Sequence, residues 1–259
     1  MRILLTNDDG ISAPGLAALA KEINKIGQVL IVAPETEMSA VGHAITLHDP
    51  LRVSDYAKNG SYFGKAVSGT PADCVKIAWG ALYKNEPKID LLISGINQGS
   101  NTGINTIYSG TVSAATEGAI LGIPSFAISL TTYTNPDFSY AARFARYLAE
   151  KIMINKLPRG VFLNVNVPAV PEEQIAGAKI TRQGMANYCE EFQVRKDPRE
   201  REYYWLTGDK EAIEEDESVD DRAILQNKVS ITPIHYDLTF YPFMRELEKW
   251  HIDFNSRIE

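Results

Sequence analysis

Residues 2–7 (RILLTN) open the chain with a short, mostly continuous apolar run, the pattern of a strand buried on both faces of a parallel sheet. Pro14 then starts a helical stripe of Leu16, Leu19, Ile23 and Ile26 that closes at Gly27. QVLIVAP (28–34) reads as the next strand, so the chain begins as a βαβ unit with helices expected over a parallel sheet. Residues 44–55 and 61–67 predict two strands joined through Asn59-Gly60, a strong hairpin signal. Thr70-Pro71 marks the cap and first residue of a helix over 71–83. The alternation then resumes: strand at 89–97, small-residue helix at 111–121, strand at 125–130, amphipathic helix at 137–152, strand at 161–168.

From about residue 177 the character changes. AKITRQG and EFQVRKDPREREYYWLTG read as extended ribbons, followed by KVSITPIHYDLT and an amphipathic helix near 241–251. The expected fold is α/β: a Rossmann-like, doubly wound, mostly parallel sheet with a C-terminal β-rich arm and terminal helix involved in oligomerisation. Residues 1–175 form the expected catalytic core and 176–259 the arm that completes it. Tyr203, Tyr204, Trp205, Phe240 and Tyr241 need burial, and packing on a second subunit is expected over packing on the chain's own core.

Composition narrows the function classes. No run of roughly 18 apolar residues exists, so no membrane span is expected. The first apolar run is too short for a secretory signal, and residence in the cytoplasm is the expectation. Cys74 and Cys189 lie far apart and form no CxxC, which fits a reducing compartment; Cys74 sits in the apolar pattern of its helix. Of the net charge of −7, residues 209–221 supply all of it, with eight acids and one lysine, and this run is expected to be a solvated loop. No basic stripe tracks a phosphate backbone, so a nucleic-acid duplex is not an expected partner.

Candidate chemistry gathers where open α/β sheets place ligands, beyond the carboxyl ends of the strands. TNDDG (6–10), PETEMSAVGHA (34–44), SGINQGSNTG (94–103) and YSGTV (108–112) should meet there, all rich in glycine and short oxygen-bearing side chains. Asp8 and Asp9 are neighbouring carboxylates leaving a buried strand, and they repel unless a cation or hydrogen-bond donors compensate. Gly10 lets the chain turn sharply so that both can face one centre. Oxygen donors favour a hard divalent ion, Mg²⁺ or Mn²⁺, with Ca²⁺ as the alternative. The competing reading makes Asp8 a helix cap and leaves Asp9 in solvent. Ser39 and Asn97 are the natural neutral co-ligands. Ser109, Gly110 and Thr111 open a helix and offer backbone N–H groups, a dipole and hydroxyls to a phosphate, a role compatible with ordinary capping.

Asn101 adds a side-chain donor, and Asn7 and Gly42 complete the phosphate-side candidates. His43 could donate to a leaving oxygen or serve as a structural hydrogen-bonder. Glu117 could orient a site loop or be exposed. Neither GxGxxG nor a Walker A sequence is present, which disfavours hydride transfer and ATP hydrolysis.

Taken together these segments resemble the SurE (survival protein E) family of 5′/3′-nucleotidases. The motifs are TNDDG-x-x-A-x-G at 6–15, AP…S-x-x-GHAIT at 33–46, GTPADCV at 69–75, SGIN-x-G-x-N-x-G at 94–103, YSGTV-x-AA-x-EG at 108–118 and VSITPIHYDLT at 229–239. The resemblance implies a Rossmann-like core with an exchanged C-terminal arm, giving homodimers or homotetramers. It implies one divalent cation at Asp8, Asp9, Ser39 and Asn97, and hydrolysis of nucleoside monophosphates, with short polyphosphate as a further substrate in some members. Two departures stand out. Ala40 follows Ser39 where the family usually has glycine, and DDRAILQNK (220–228) replaces a stretch that usually carries Thr-Asp, an aromatic and a later glycine. Attack by a cation-activated water is the expected mechanism, with Asp8 or Asp9 also orienting that water, because DDGIS is not the DxDx[TV] of an aspartyl-phosphate enzyme. The rival from a different class is a nucleotide-binding regulatory module without turnover.

Overall fold

The computed structural model describes residues 1–186, 188–210 and 214–252. Among these, nine strands make the main sheet. Its centre is β1 (Arg2–Thr6), with β2 (Gln28–Pro34) on one side and β5 (Leu91–Gln98) on the other, both parallel to it. Outside β2 lie β4 (Ser61–Val67), parallel, and β3 (Val53–Lys58), antiparallel. Beyond β5 come β6 (Ser125–Leu130) and β7 (Val161–Val167), both parallel. The chain thus builds one side of β1, then crosses to build the other, and the gap between β1 and β5 is the topological switch point.

Helices cover both faces. α1 (Pro14–Ile23) and α4 (Ser139–Asn155) pack together on one face over Leu5, Ile93 and Phe126; α2 (Pro71–Ile77) and α3 (Gly110–Ile120) pack on the other over Leu4, Leu92 and Val32. Gly15 is required where α1 meets β5, since a Cβ there would lie 2.1 Å from the Ile96 carbonyl oxygen.

Most predicted elements appear near their expected limits, and the Asn59-Gly60 turn has positive φ at both residues as a tight hairpin needs. Residues 44–52 are the exception: they form no strand. The N–H and hydroxyl of Thr46 both donate to Asp73, and the hydroxyl of Thr70 donates to the Ala44 carbonyl. That segment is therefore pinned to the capping box of α2, formed by Thr70 and Asp73, instead of to a neighbouring strand. The helix expected over 71–83 is α-helical to Ile77 and continues as a wider turn over Ala78–Leu82.

The C-terminal region divides. β8 (Ala178–Ile180) and β11 (Val229–His235) extend the main sheet beyond β7, with β11 antiparallel to β7. β9 (Tyr188–Lys196) and β10 (Glu202–Lys210) form a separate two-stranded ribbon. Tyr204, Trp205, Phe240 and Tyr241 are all more than half exposed, and Tyr203 is exposed too. α6 (Tyr241–Glu248) buries none of its residues within the chain.

The acidic run is only partly a solvated loop. Residues 211–213 lie outside the described residues. Glu214 and Asp216 are ion-paired with Arg182, but Asp220 and Asp221 open helix α5 (Asp220–Leu225) as buried side chains. Backbone N–H donors reach Asp220 from Gly103 and Gly184, which is what makes its burial tolerable. No helix among the described residues is long and apolar enough to cross a membrane.

Candidate functional site

Asp8 and Asp9 follow β1 directly, at the switch point. Gly10 turns the chain with φ +91°, and the wholly buried Asn7 braces the turn by donating from Nδ2 to the Gly10 carbonyl at 2.9 Å. The Met38 N–H donates to the Asp8 carbonyl at 2.8 Å, tying the loop after β2 to the acid pair.

The Asp8 carboxylate sits on the start of α3. The Thr111 N–H donates to Oδ2 at 3.0 Å and the Thr111 hydroxyl donates to Oδ1. Gly110 makes this approach feasible, because a Cβ there would come within 2.8 Å of the Asp8 Cβ. The positive end of the helix therefore already holds an anion, the protein's own carboxylate. Ser109 caps the helix by accepting the Val112 N–H at 3.1 Å. That acceptance leaves its hydroxyl hydrogen as a donor. Asp9 Oδ2 accepts the Gln98 N–H at 3.2 Å.

Burial pushes the Asp8 carboxyl up, opposed by the two bonds from Thr111. Asp9 is pushed up to about 7, first by burial and then by the charge of Asp8, with Glu37 adding to the repulsion. An acid pair with elevated pKa values and a third acid nearby is a site that a cation would relieve.

The donor set fits a hard cation. Asn97 donates from Nδ2 to the Gly99 carbonyl at 2.8 Å, which leaves its amide oxygen as the free end. Ser39 is exposed, and its hydroxyl donates to Glu37 Oε1 at 2.5 Å, leaving lone pairs on Oγ. Among the described residues no group of three or more His, Cys, Asp or Glu side chains is placed to hold a metal ion. A cation here would draw on two carboxylates, neutral oxygens and water, a set that suits Mg²⁺, Mn²⁺ or Ca²⁺.

A cleft of about 570 Å³ opens over this end of the sheet, a size usual for small-molecule sites. Of the residues singled out in the sequence, Asp8, Ser39, Asn97, Asn101 and Ser109 line it. Asn7, Asp9, Gly42, His43, Gly110 and Thr111 do not line it; Asn7, Gly110 and Thr111 are buried and His43 is exposed. The remaining wall includes Tyr108, Tyr133 and Ile104, with Leu206, Thr207 and Gly208 from β10. The tyrosines give the cleft an aromatic side opposite in character to its acid end.

His43 and Gly42 hold a loop. His43 Nε2 lies 3.0 Å from Glu117 Oε2, and Lys76 Nζ lies 2.7 Å from Glu117 Oε1. Burial raises Glu117, but the His43 and Lys76 contacts outweigh it and keep the carboxyl below its ordinary range. Glu117 is thus a buried anchor on α3. The Gly42 N–H is spent on the Tyr108 carbonyl at 3.0 Å, which fixes the far end of the Ser39 loop.

Asn101 is held from β7. Its carbonyl accepts from Asn164 Nδ2 at 2.7 Å, its N–H donates to Asn166 Oδ1 at 2.8 Å, and its own Nδ2 donates to Ser129 Oγ at 2.8 Å. One hydrogen of that side-chain amide is thereby used and a second remains. Asn164 and Asn166 escaped sequence reasoning, although two asparagines at alternate positions of an apolar strand mark one polar, buried face that must have partners.

The model of the family described as Survival protein SurE matches residues 3–190. The chain belongs to the SurE family. A relative named 5′-nucleotidase SurE from Syntrophus aciditrophicus is 57% identical over 242 residues, covering 93% of this chain and 90% of its own length. Its namesake from Syntrophobacter fumaroxidans is 49% identical and covers 97% of this chain and 100% of its own length. The crystal structure of the SurE protein from Aquifex aeolicus superposes with a TM-score of 0.83 at 38% identity, covering 97% of this chain and all of that one. The superposition extends the likeness in fold over nearly the whole chain, beyond the residues that the family model matches.

Proposed function

We propose that this SurE-family chain is a 5′-nucleotidase, a metal-dependent phosphomonoesterase that hydrolyses nucleoside 5′- and 3′-monophosphates to nucleoside and phosphate. The observation that carries this reading is the Asp8–Asp9 pair, Asp8 buried and Asp9 half-buried and both elevated in pKa, with Asp8 in the wall of a cleft whose other walls are neutral and aromatic. The naming of relatives at up to 57% identity as 5′-nucleotidases supports it.

In this reading Asp8, Asp9, Ser39 and Asn97 hold one divalent cation, Mg²⁺ or Mn²⁺. When bound, such an ion supplies Lewis acidity toward phosphate and water. The chain's own residues do the rest. Asp8 is kept in one orientation by Thr111 and Gly110. Ser109 and Asn101 each retain a hydrogen to donate toward phosphate oxygens from the cleft wall. Tyr108 and Tyr133 offer apolar faces for the nucleoside. Asn7, Gly42 and His43 are positioning residues, His43 through Glu117. Short polyphosphate is a further substrate in the same cleft. Two widely separated cysteines suit a reducing compartment, and the reading places the enzyme in the cytoplasm. The arm residues beyond 175, the β9–β10 ribbon and α6 above all, would join subunits in a homodimer or homotetramer.

The test is phosphate release from nucleoside monophosphates with each divalent ion in turn. Activity that a chelator abolishes and that Asp9→Asn loses is expected, with the fold intact by circular dichroism. Nucleotide binding without turnover under every metal would instead make the chain a regulatory module.

A further inference from the structure

Asp220 and Asp221 lie more than a hundred residues from the cleft loop in sequence, yet they hold it. Asp220 Oδ2 accepts the Gly103 N–H at 2.9 Å, and its Oδ1 accepts the N–H groups of Gly184 at 3.0 Å and Asp221 at 2.9 Å. Asp221 Oδ1 accepts the Thr102 hydroxyl at 2.6 Å. Both acids are buried, Asp220 completely. Two further bonds stitch the same place: Gln183 Nε2 donates to the Gly103 carbonyl at 2.9 Å, and the Ile104 N–H donates to the Ala186 carbonyl at 3.2 Å. Gly103 has φ +59°, and a Cβ on it would lie 2.6 Å from the Ala186 carbonyl oxygen. The loop is therefore clamped on both sides, by Asn164 and Asn166 before it and by the tail segment after it.

Burying two adjacent carboxylates is costly, and a simple cap would not need them. Converging N–H donors explain the choice for Asp220. An ionised carboxylate accepts on both oxygens, whereas an amide would turn an NH₂ group toward one of those donors. Burial raises Asp220, and the Gly103, Asp221 and Gly184 N–H groups oppose that rise. Residues on the clamped loop, Asn101, Ile104 and Asn105, line the cleft.

We infer that Asp220 and Asp221 are positioning residues for turnover, setting the 101–105 wall of the cleft from the C-terminal segment through Gly103 and Thr102. The inference rests on the functional reading above, which makes this cleft the reaction site.

Steady-state kinetics on a nucleoside 5′-monophosphate test it, run well below the melting temperature of each variant. Asp220→Asn and Asp221→Leu should lower kcat/KM about tenfold or more. Asp221→Asn, which keeps an acceptor for Thr102, should stay within about threefold. Half-saturation by the divalent ion should be unchanged in all three, because Asp8, Asp9 and Ser39 lie on other segments and Asn97 is anchored separately, on the Gly99 carbonyl; a general structural loss would move both quantities. Thr102→Val should fall like Asp221→Leu, and Thr102→Ser should restore turnover, so the test survives if an acid variant does not fold. A wild type that releases no phosphate with any metal overturns the functional reading. An active wild type whose Thr102→Val and Asp221→Leu variants match it overturns this inference alone.

Discussion

Thr111 gives Asp8 two hydrogen bonds at once, its backbone N–H to one carboxylate oxygen and its hydroxyl to the other. The pairing fixes the plane of a carboxylate that leaves the central strand, and it lowers a pKa that burial raises. Removing the hydroxyl with Thr111→Val leaves the N–H bond and an under-satisfied acid, at a cost of about 1–3 kcal/mol. Expected outcomes are a lower melting temperature and a weaker metal response, read as a higher half-saturating concentration of Mn²⁺ or Mg²⁺. Thr111→Ser should restore both. A Thr111→Val protein with wild-type metal dependence would separate this bond from the site.

The same acids predict an inverted pH dependence in metal-free protein. Asp9 in the fold titrates near 7, against an ordinary value of 3.8. The folded state then binds more protons than the unfolded chain between those values, so stability falls as pH rises through that window and is regained as pH drops. In chelator, Asp9→Asn should melt above wild type at about pH 8, by a margin that narrows at about pH 5 and closes only below the ordinary value of 3.8. Adding the divalent ion at the higher pH should raise the wild-type melting temperature and leave Asp9→Asn nearly unmoved. Melting curves at the two pH values, with and without metal, decide it.

The site was legible where its logic is local. A strand ending in two acids and a glycine, a Ser-Gly-Thr helix start and a run of glycine and asparagine all lie within short stretches of sequence. What sequence did not reveal depends on distant partners. The 44–52 segment alternates like a strand, but Asp73 takes its donors. The acids at 220–221 read as part of a solvated run because their donors are distant in sequence: the Gly103 and Gly184 N–H groups for Asp220 and the Thr102 hydroxyl for Asp221. At 109–111 the N–H and hydroxyl of Thr111, expected for a phosphate, are taken by Asp8, a partner more than a hundred residues away.

Ala40 carries a departure from the family pattern into backbone energetics. It adopts φ +55° beside Ser39, in the left-handed region where glycine is unstrained. For an L residue that conformation costs roughly 1–2 kcal/mol, of which glycine would return part as unfolded-chain freedom. Ala40→Gly should therefore raise the melting temperature slightly. Ala40→Val, whose branched side chain tolerates the region poorly, should lower it and weaken the metal response by displacing Ser39. Paired melts and metal titrations of the two variants give the comparison, and a Val variant indistinguishable from wild type would remove Ser39 loop geometry from the account.

The ribbon of β9 and β10 makes its own demand. Its register sets Val194 opposite Tyr204 and Phe192 opposite Leu206. Strand alternation then puts these four on one face. Each is more than half exposed in the single chain. A lone two-stranded ribbon is marginal in water, and an exposed face of this kind calls for a cover. A second copy of the chain is the expected one. Val194→Glu and Tyr204→Glu, each placing a charge in the middle of that face, should shift the particle mass measured by light scattering to that of the monomer. The same changes should raise KM, because Leu206, Thr207 and Gly208 on this ribbon line the cleft and lose their support with it. Monomers with an unchanged KM would confine the ribbon to assembly.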